Sequence, residues 1–188
     1  MFAYKGFGKG LICRGYQFAM GLNRTEKANC KENGFHCAED PLDCLTYYSN
    51  MDASEYYIVN AGGDIHEDGA DTKISCTELT ILKRLSRREL FLHALAFMAD
   101  HPKREWSCHV TKDKGTAPLF NKYVVVRGID PVAQGPIGSI LAFAKEDISG
   151  RIVQVALAEV LPKRLIQGAN VEYGAILQFR IKVFVHKG

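Results

Sequence analysis

Six glycines punctuate the opening of this chain (Gly6, Gly8, Gly10, Gly15, Gly21 and Gly34), and short apolar-alternating runs lie between them. A period of two is the pattern of a half-buried strand, and glycine supplies the reversals that short strands need. The runs "FAYKGF", "LICRGYQF", "ANCKE" and "GFHCAE" therefore predict short strands, and "EYYIVNAGG" and "KISCTELTIL" predict two more. "GFGKG" has no Lys–Ser/Thr pair and no following helix, so it reads as a hairpin turn and not a phosphate loop. "DIHEDGADT" reads as a polar turn.

Two segments carry helix signals. In "EDPLDCLTYY", Asp40 is a natural N-cap, Pro41 suits the first helical position, and Asp43 favours the positive helix end. The second is "SRRELFLHALAFMAD", residues 86–100, where Ser86 and Glu89 are spaced as a capping box. Leu90, Ala94, Phe97 and Met98 form its apolar face, beside which His93 reads as a packed or rim histidine and not a ligand. His101–Pro102 ends it. Beyond Trp106 the pattern returns to strands, in "NKYVVVRG", "IGSILAFAKE", "GRIVQVALAEVL" and "YGAILQFRIKVFV". Residues 147–150 predict a hairpin turn, and "KDKGTAPLFNK" a mobile loop or joint. The expected fold is α+β, with antiparallel β-sheets packed against one long helix and a short helix in the first half. Residues 1–104 are expected to form an N-terminal α+β domain, and 105–188 a mainly β domain or sheet extension.

Charge is unevenly spread. Residues 1–100 carry a net −3 and residues 101–188 a net +6. Between 39 and 71 stand nine acids and no Lys or Arg: Glu39, Asp40, Asp43, Asp52, Glu55, Asp64, Glu67, Asp68 and Asp71. Such a stretch is either a solvated face or a surface that steers a basic partner. The basic C-terminal runs alternate as strands do, so direct nucleic-acid binding is not expected. No apolar run approaches the roughly 18–20 residues that a membrane helix needs.

The six cysteines are expected to be free thiols in a reducing cytoplasm, although an even count would permit three disulfides. Cys30, His36, Cys37 and Cys44 fall close together, but they contain no C-x₂-C pair. The adjacent His36 and Cys37 would point to opposite faces of a strand, so neither a metal nor a bound cofactor is expected. No nucleophile–base arrangement can be picked out.

The segments "YKGF…LICRGYQFAMG", "GFHCAEDPLDCLTYY" and "YYIVNAGGDI" resemble an uncharacterised family encoded in bacteriophages and prophages. Its pattern is matched at Cys13, Arg14, Gly15, Gln17, Phe18, Gly34, Phe35, His36, Pro41, Leu42, Asp43, Leu45, Tyr47, Tyr48, Gly62 and Gly63. The resemblance covers residues 1–80 and, more loosely, 135–165, and it brings no catalytic residues. It implies a protein of the bacterial host cytoplasm that acts on a host protein, such as a nucleic-acid-binding defence effector. On that basis the chain is expected to be a non-enzymatic inhibitor of host defence, an anti-CRISPR protein among the options, with the nine acids as its contact surface. The strand opening with Tyr4, Lys5 and Gly6, followed by the Gly-Phe-His strand and a short helix, is also similar to the way ADP-ribosyltransferases frame NAD. That similarity implies an alternative, a nucleotide pocket near Tyr4, Arg14, His36 and Tyr48, with Arg14 on phosphate and His36 and the tyrosines on the base.

Overall fold

The computed structural model describes residues 1–27, 33–67, 72–161 and, for their backbone, 177–180. Strands hold 54% of the described residues and helices 14%. The expectation of an α+β fold built around one long helix is thus corrected to a mostly β one. The capped helix α2, Arg87–Asp100, does form, but its 14 residues are ordinary. Strands β6 (Ser54–Glu67), β7 (Lys73–Leu85) and β9 (Tyr123–Gly135) match it in length. Segments that read as polar loops are strand: "DIHE" extends β6, and "KDKGT" lies in β8, Val110–Thr116. The strand expected at "ANCKE" and much of that at "YGAILQFRIKVFV" lie outside the described residues.

The chain divides into two compact units, Met1–Phe97 and Met98–Gly188. In the first, β1 (Phe2–Gly8) pairs along its whole length with β6, and β6 pairs with β7. The opposite edge of β7 takes β5 (Phe35–Ala38) and β4 (Gly21–Arg24). β5 returns to β1 through one register pair, Tyr4↔Ala38, so the pairings close into a ring. Inside lies a cluster that includes Phe7, Phe18, Phe35, Val59, Ile74, Leu79 and Ile81. Phe18 sits with its ring centroid 5.2 Å from Phe7 and 4.8 Å from Phe35, at angles favoured by aromatic quadrupoles. The hairpin β2 (Ile12–Cys13) to β3 (Tyr16–Gln17) extends the edge of β1. It turns on Arg14 and Gly15, both at positive φ (48° and 79°), as a two-residue primed turn requires. A 3₁₀ turn, Pro41–Asp43, then leads into α1, Cys44–Tyr47. Asp40 caps it as its sequence position implied, accepting from the Leu42 N–H at 2.9 Å. At the head of α2 the Ser86–Glu89 capping box closes in both directions.

The second unit is a five-stranded sheet. β10 (Ile140–Glu146) and β11 (Ile152–Glu159) form the expected antiparallel pair. Their turn is held by the Asp147 carboxylate, which accepts from the N–H groups of Ser149 and Arg151. The expectation of antiparallel sheets holds for the pairings of the first unit but only in part here, because β8 and β10 both run parallel to β9. β12 (Leu177–Arg180) pairs antiparallel with the far half of β9. The β8 register shifts at Asp113, whose φ is 59°, and Gly115 then sits so close to Val124 and Val126 that a Cβ would meet their methyls within 2.8 Å.

Candidate functional site

Among the described residues, the ring of the first unit closes most weakly at one seam. Past Tyr4↔Ala38, β1 and β5 diverge, and the gap between them is a cavity of about 260 Å³. What fills the seam in place of a ladder is Lys5. It shares the inward face of β1 with Ala3 and Phe7, as a period of two dictates, and it is only 5% exposed. Its Nζ donates to the His36 carbonyl across the gap at 2.5 Å and lies 5.2 and 5.3 Å from the Phe7 and Phe18 ring centroids. Among the described residues Lys5 has no carboxylate partner. Two aromatic faces and one carbonyl are thin compensation for a desolvated ammonium.

The neighbouring strand residues set the walls. Gly6 lacks a side chain because Tyr48 occupies that space: a Cβ there would lie 2.5 Å from the tyrosine Cδ2. Tyr48 is itself held by α1, its N–H donating to the Cys44 carbonyl at 3.0 Å, and its own carbonyl accepts from the Tyr56 hydroxyl. Burial and then a hydrogen bond with Cys13 hold the Tyr48 phenol well above its usual range, while Arg14 pulls the other way. Tyr4, pointing outward from β1, places its hydroxyl 3.0 Å from Nδ1 of His93, with the two rings edge to face. Burial, followed by the charges of Cys44 and Asp40, pushes that phenol up as well. His93 is thus the packed histidine its position on α2 suggested.

The cavity mouth is cationic. Arg14 reaches it from the tip of the β2–β3 hairpin, and Lys73 from the start of β7, with Nζ 5.5 Å from the Tyr47 ring centroid. Asp43 is the one carboxylate in the lining among the described residues, and it accepts from the Thr72 hydroxyl at 2.6 Å. Three thiols also border the space, and two are clearly unsuited to nucleophilic work. Burial pushes Cys44 up to about 12, and its hydrogen bond to Cys76 together with burial pushes Cys37 up. Among the described residues no three His, Cys, Asp or Glu side chains come together as a metal site, and no helix is long and apolar enough to cross a membrane.

Tyr4, Arg14, His36 and Tyr48, drawn from four separate segments, all line this one cavity. Lys5, Tyr47 and Lys73 join them, although the sequence reading assigned none of the three by number to a pocket. The signal for Lys5 was available, since it stands midway between Ala3 and Phe7 on a strand with an inward face. The acids of 39–71 are scattered by comparison. Asp40 is a buried cap and Asp43 faces the cavity, while Asp52 pairs with Arg87 and Glu55 with Arg84. The Glu39 N–H donates to the Thr72 carbonyl. Asp64 lies exposed on β6 and Glu67 is the last residue of that strand, while Asp68 and Asp71 lie outside the described residues.

Residues 1–93 match the family model described as Domain of unknown function (DUF7666). No curated protein and no solved structure matches the chain.

Proposed function

We propose that the first unit is a binding domain for a small anionic ligand of the nucleotide class, held in the β1–β5 cavity. One observation carries the reading: a buried ammonium, Lys5, lines the cavity with no carboxylate beside it among the described residues. Burying a charge costs several kcal/mol unless it is paired, so a fold that keeps one unpaired at a cavity wall is poised to accept an anion. Arg14 and Lys73 add charge of the same sign, and Tyr4, Tyr47 and Tyr48 supply aromatic surface for a base.

A thermal-shift panel of the full chain against mono-, di- and cyclic nucleotides tests this. A ligand at a hundred times its Kd adds about 2.7 kcal/mol of stability, roughly 5–10 °C in Tm. Flat melting curves across the whole panel would remove the reading. A second reading is contact with a host protein through the acidic run, as an inhibitor of host defence would make. It is favoured only by the exposed Asp64, because Asp40, Asp43, Asp52 and Glu55 have partners within the unit. Reversing Asp64 and Glu67 to lysine should then abolish capture of a specific bacterial protein, and unchanged capture would rule that surface out.

A further inference from the structure

We infer that the cavity binds its ligand end-on, with a terminal phosphate monoester at the deep Lys5 end and the base at the rim; this rests on the nucleotide reading above. The polarity follows from how the charged and aromatic groups are layered. Lys5 is 5% exposed and forms the inner end, whereas Tyr47, beneath Lys73, is 56% exposed and forms the outer one. An anion that is to complete the coordination of Lys5 must therefore be the leading group of the ligand and cannot carry bulk on both sides.

Charge matching selects the phosphate type. Among the described residues, Lys5, Arg14 and Lys73 line the space with one carboxylate, Asp43, which accepts from Thr72; Lys5 and Arg14 are the two cations the phosphate is to meet. A terminal phosphate monoester carries about −1.5 to −2 at neutral pH, and so matches this surplus better than the single charge of a phosphodiester. Size agrees, since about 260 Å³ lies just below the roughly 300–1,000 Å³ of drug-sized sites. A dinucleotide, whose phosphates lie between two nucleosides, would have to push one nucleoside past Lys5.

Isothermal titration of the full chain with AMP, adenosine, NAD and cyclic AMP separates the possibilities. AMP should bind at least tenfold tighter than the other three, and inorganic phosphate should compete with it. The Lys5→Met variant should lose at least tenfold in AMP affinity. If that variant does not fold, the exposed-mouth double variant Arg14→Gln/Lys73→Gln should still erase the advantage of AMP over adenosine. NAD, cyclic AMP or adenosine binding as tightly as AMP would overturn end-on binding and leave the nucleotide reading standing. No binding by any of the four would overturn both.

Discussion

Each unit of this protein buries one strongly basic side chain against aromatic rings, and the two are treated in opposite ways. In the second unit Arg127 is 3% exposed, with Cζ 4.7 Å from the Trp106 ring centroid. Its guanidinium bonds Glu146 at 2.5 Å and the carbonyls of Pro102 and Gly150 at 2.7 and 3.3 Å. In the first unit Lys5 is similarly buried and lies 5.2 and 5.3 Å from two aromatic centroids, but among the described residues it has one carbonyl and no acid. The guanidinium is a satisfied joint that ties a loop and a hairpin to β9. The ammonium is an incomplete one, and incompleteness beside a cavity is what distinguishes a site from scaffolding.

The contrast can be broken most directly at Glu146. Glu146→Ala strands a buried guanidinium, and unfolding in urea should show a loss of about 3–5 kcal/mol. Trp106, the single tryptophan, reports on it by fluorescence from the very ring that Arg127 covers. A loss below about 1 kcal/mol would mean that Arg127 is no better anchored than a surface pair. Gly6→Ala should cost about 1–3 kcal/mol, because the added methyl collides with Tyr48. Adding Tyr48→Leu should recover part of that loss, and strict additivity of the two would show that the contact is not the cause. Lys5→Met, by contrast, should leave stability within about 1 kcal/mol of wild type, since an apolar side chain of similar length suits the Phe7–Phe18 surroundings. A loss as large as that at Glu146 would make Lys5 structural and erase the comparison.

The smallest effect belongs to an exposed counterpart of these buried cations. Lys83 and then Ser86 draw the Glu89 carboxyl from 4.5 down to about 2. The unfolded chain takes up this proton first as the solution is acidified. The contribution is therefore complete above pH 4.5 and is lost as pH falls through about 2. The difference in urea midpoint between wild type and Glu89→Gln should narrow across that interval, and a difference constant with pH would show that the carboxylate does not act through its charge.

Much of the site was legible because glycines and caps announce themselves locally. The Arg14–Gly15 turn, the Asp40 cap and the Tyr48 landing on α1 each follow from neighbours in sequence, and together they bring Arg14 and Tyr48 to one place. Lys5 was harder, because a lone lysine in a strand is usually solvated and only the burial of Ala3 and Phe7 shows which way it faces. The acids were misleading in bulk: composition counts charges, whereas Asp52 and Glu55 find Arg87 and Arg84 more than twenty residues away. The parallel placement of β8, β9 and β10 was invisible for a related reason. Turn signals name only sequential antiparallel neighbours, and the register shift at Asp113, like the seat of Gly115 against Val124 and Val126, involves residues distant in sequence.

The seam between β1 and β5 also bears on how this protein behaves in a crowd. A ring closed by a single register pair leaves short stretches of strand edge that could recruit an extended segment from another molecule. An inward-pointing lysine is among the devices that keep such an edge from being used, because an incoming strand would have to bury the charge without answering it. On the proposed reading, the same unanswered charge of Lys5 would both discourage such edge pairing and attract a ligand, and a molecule that fills the seam should make the protein better behaved on storage as well as harder to melt.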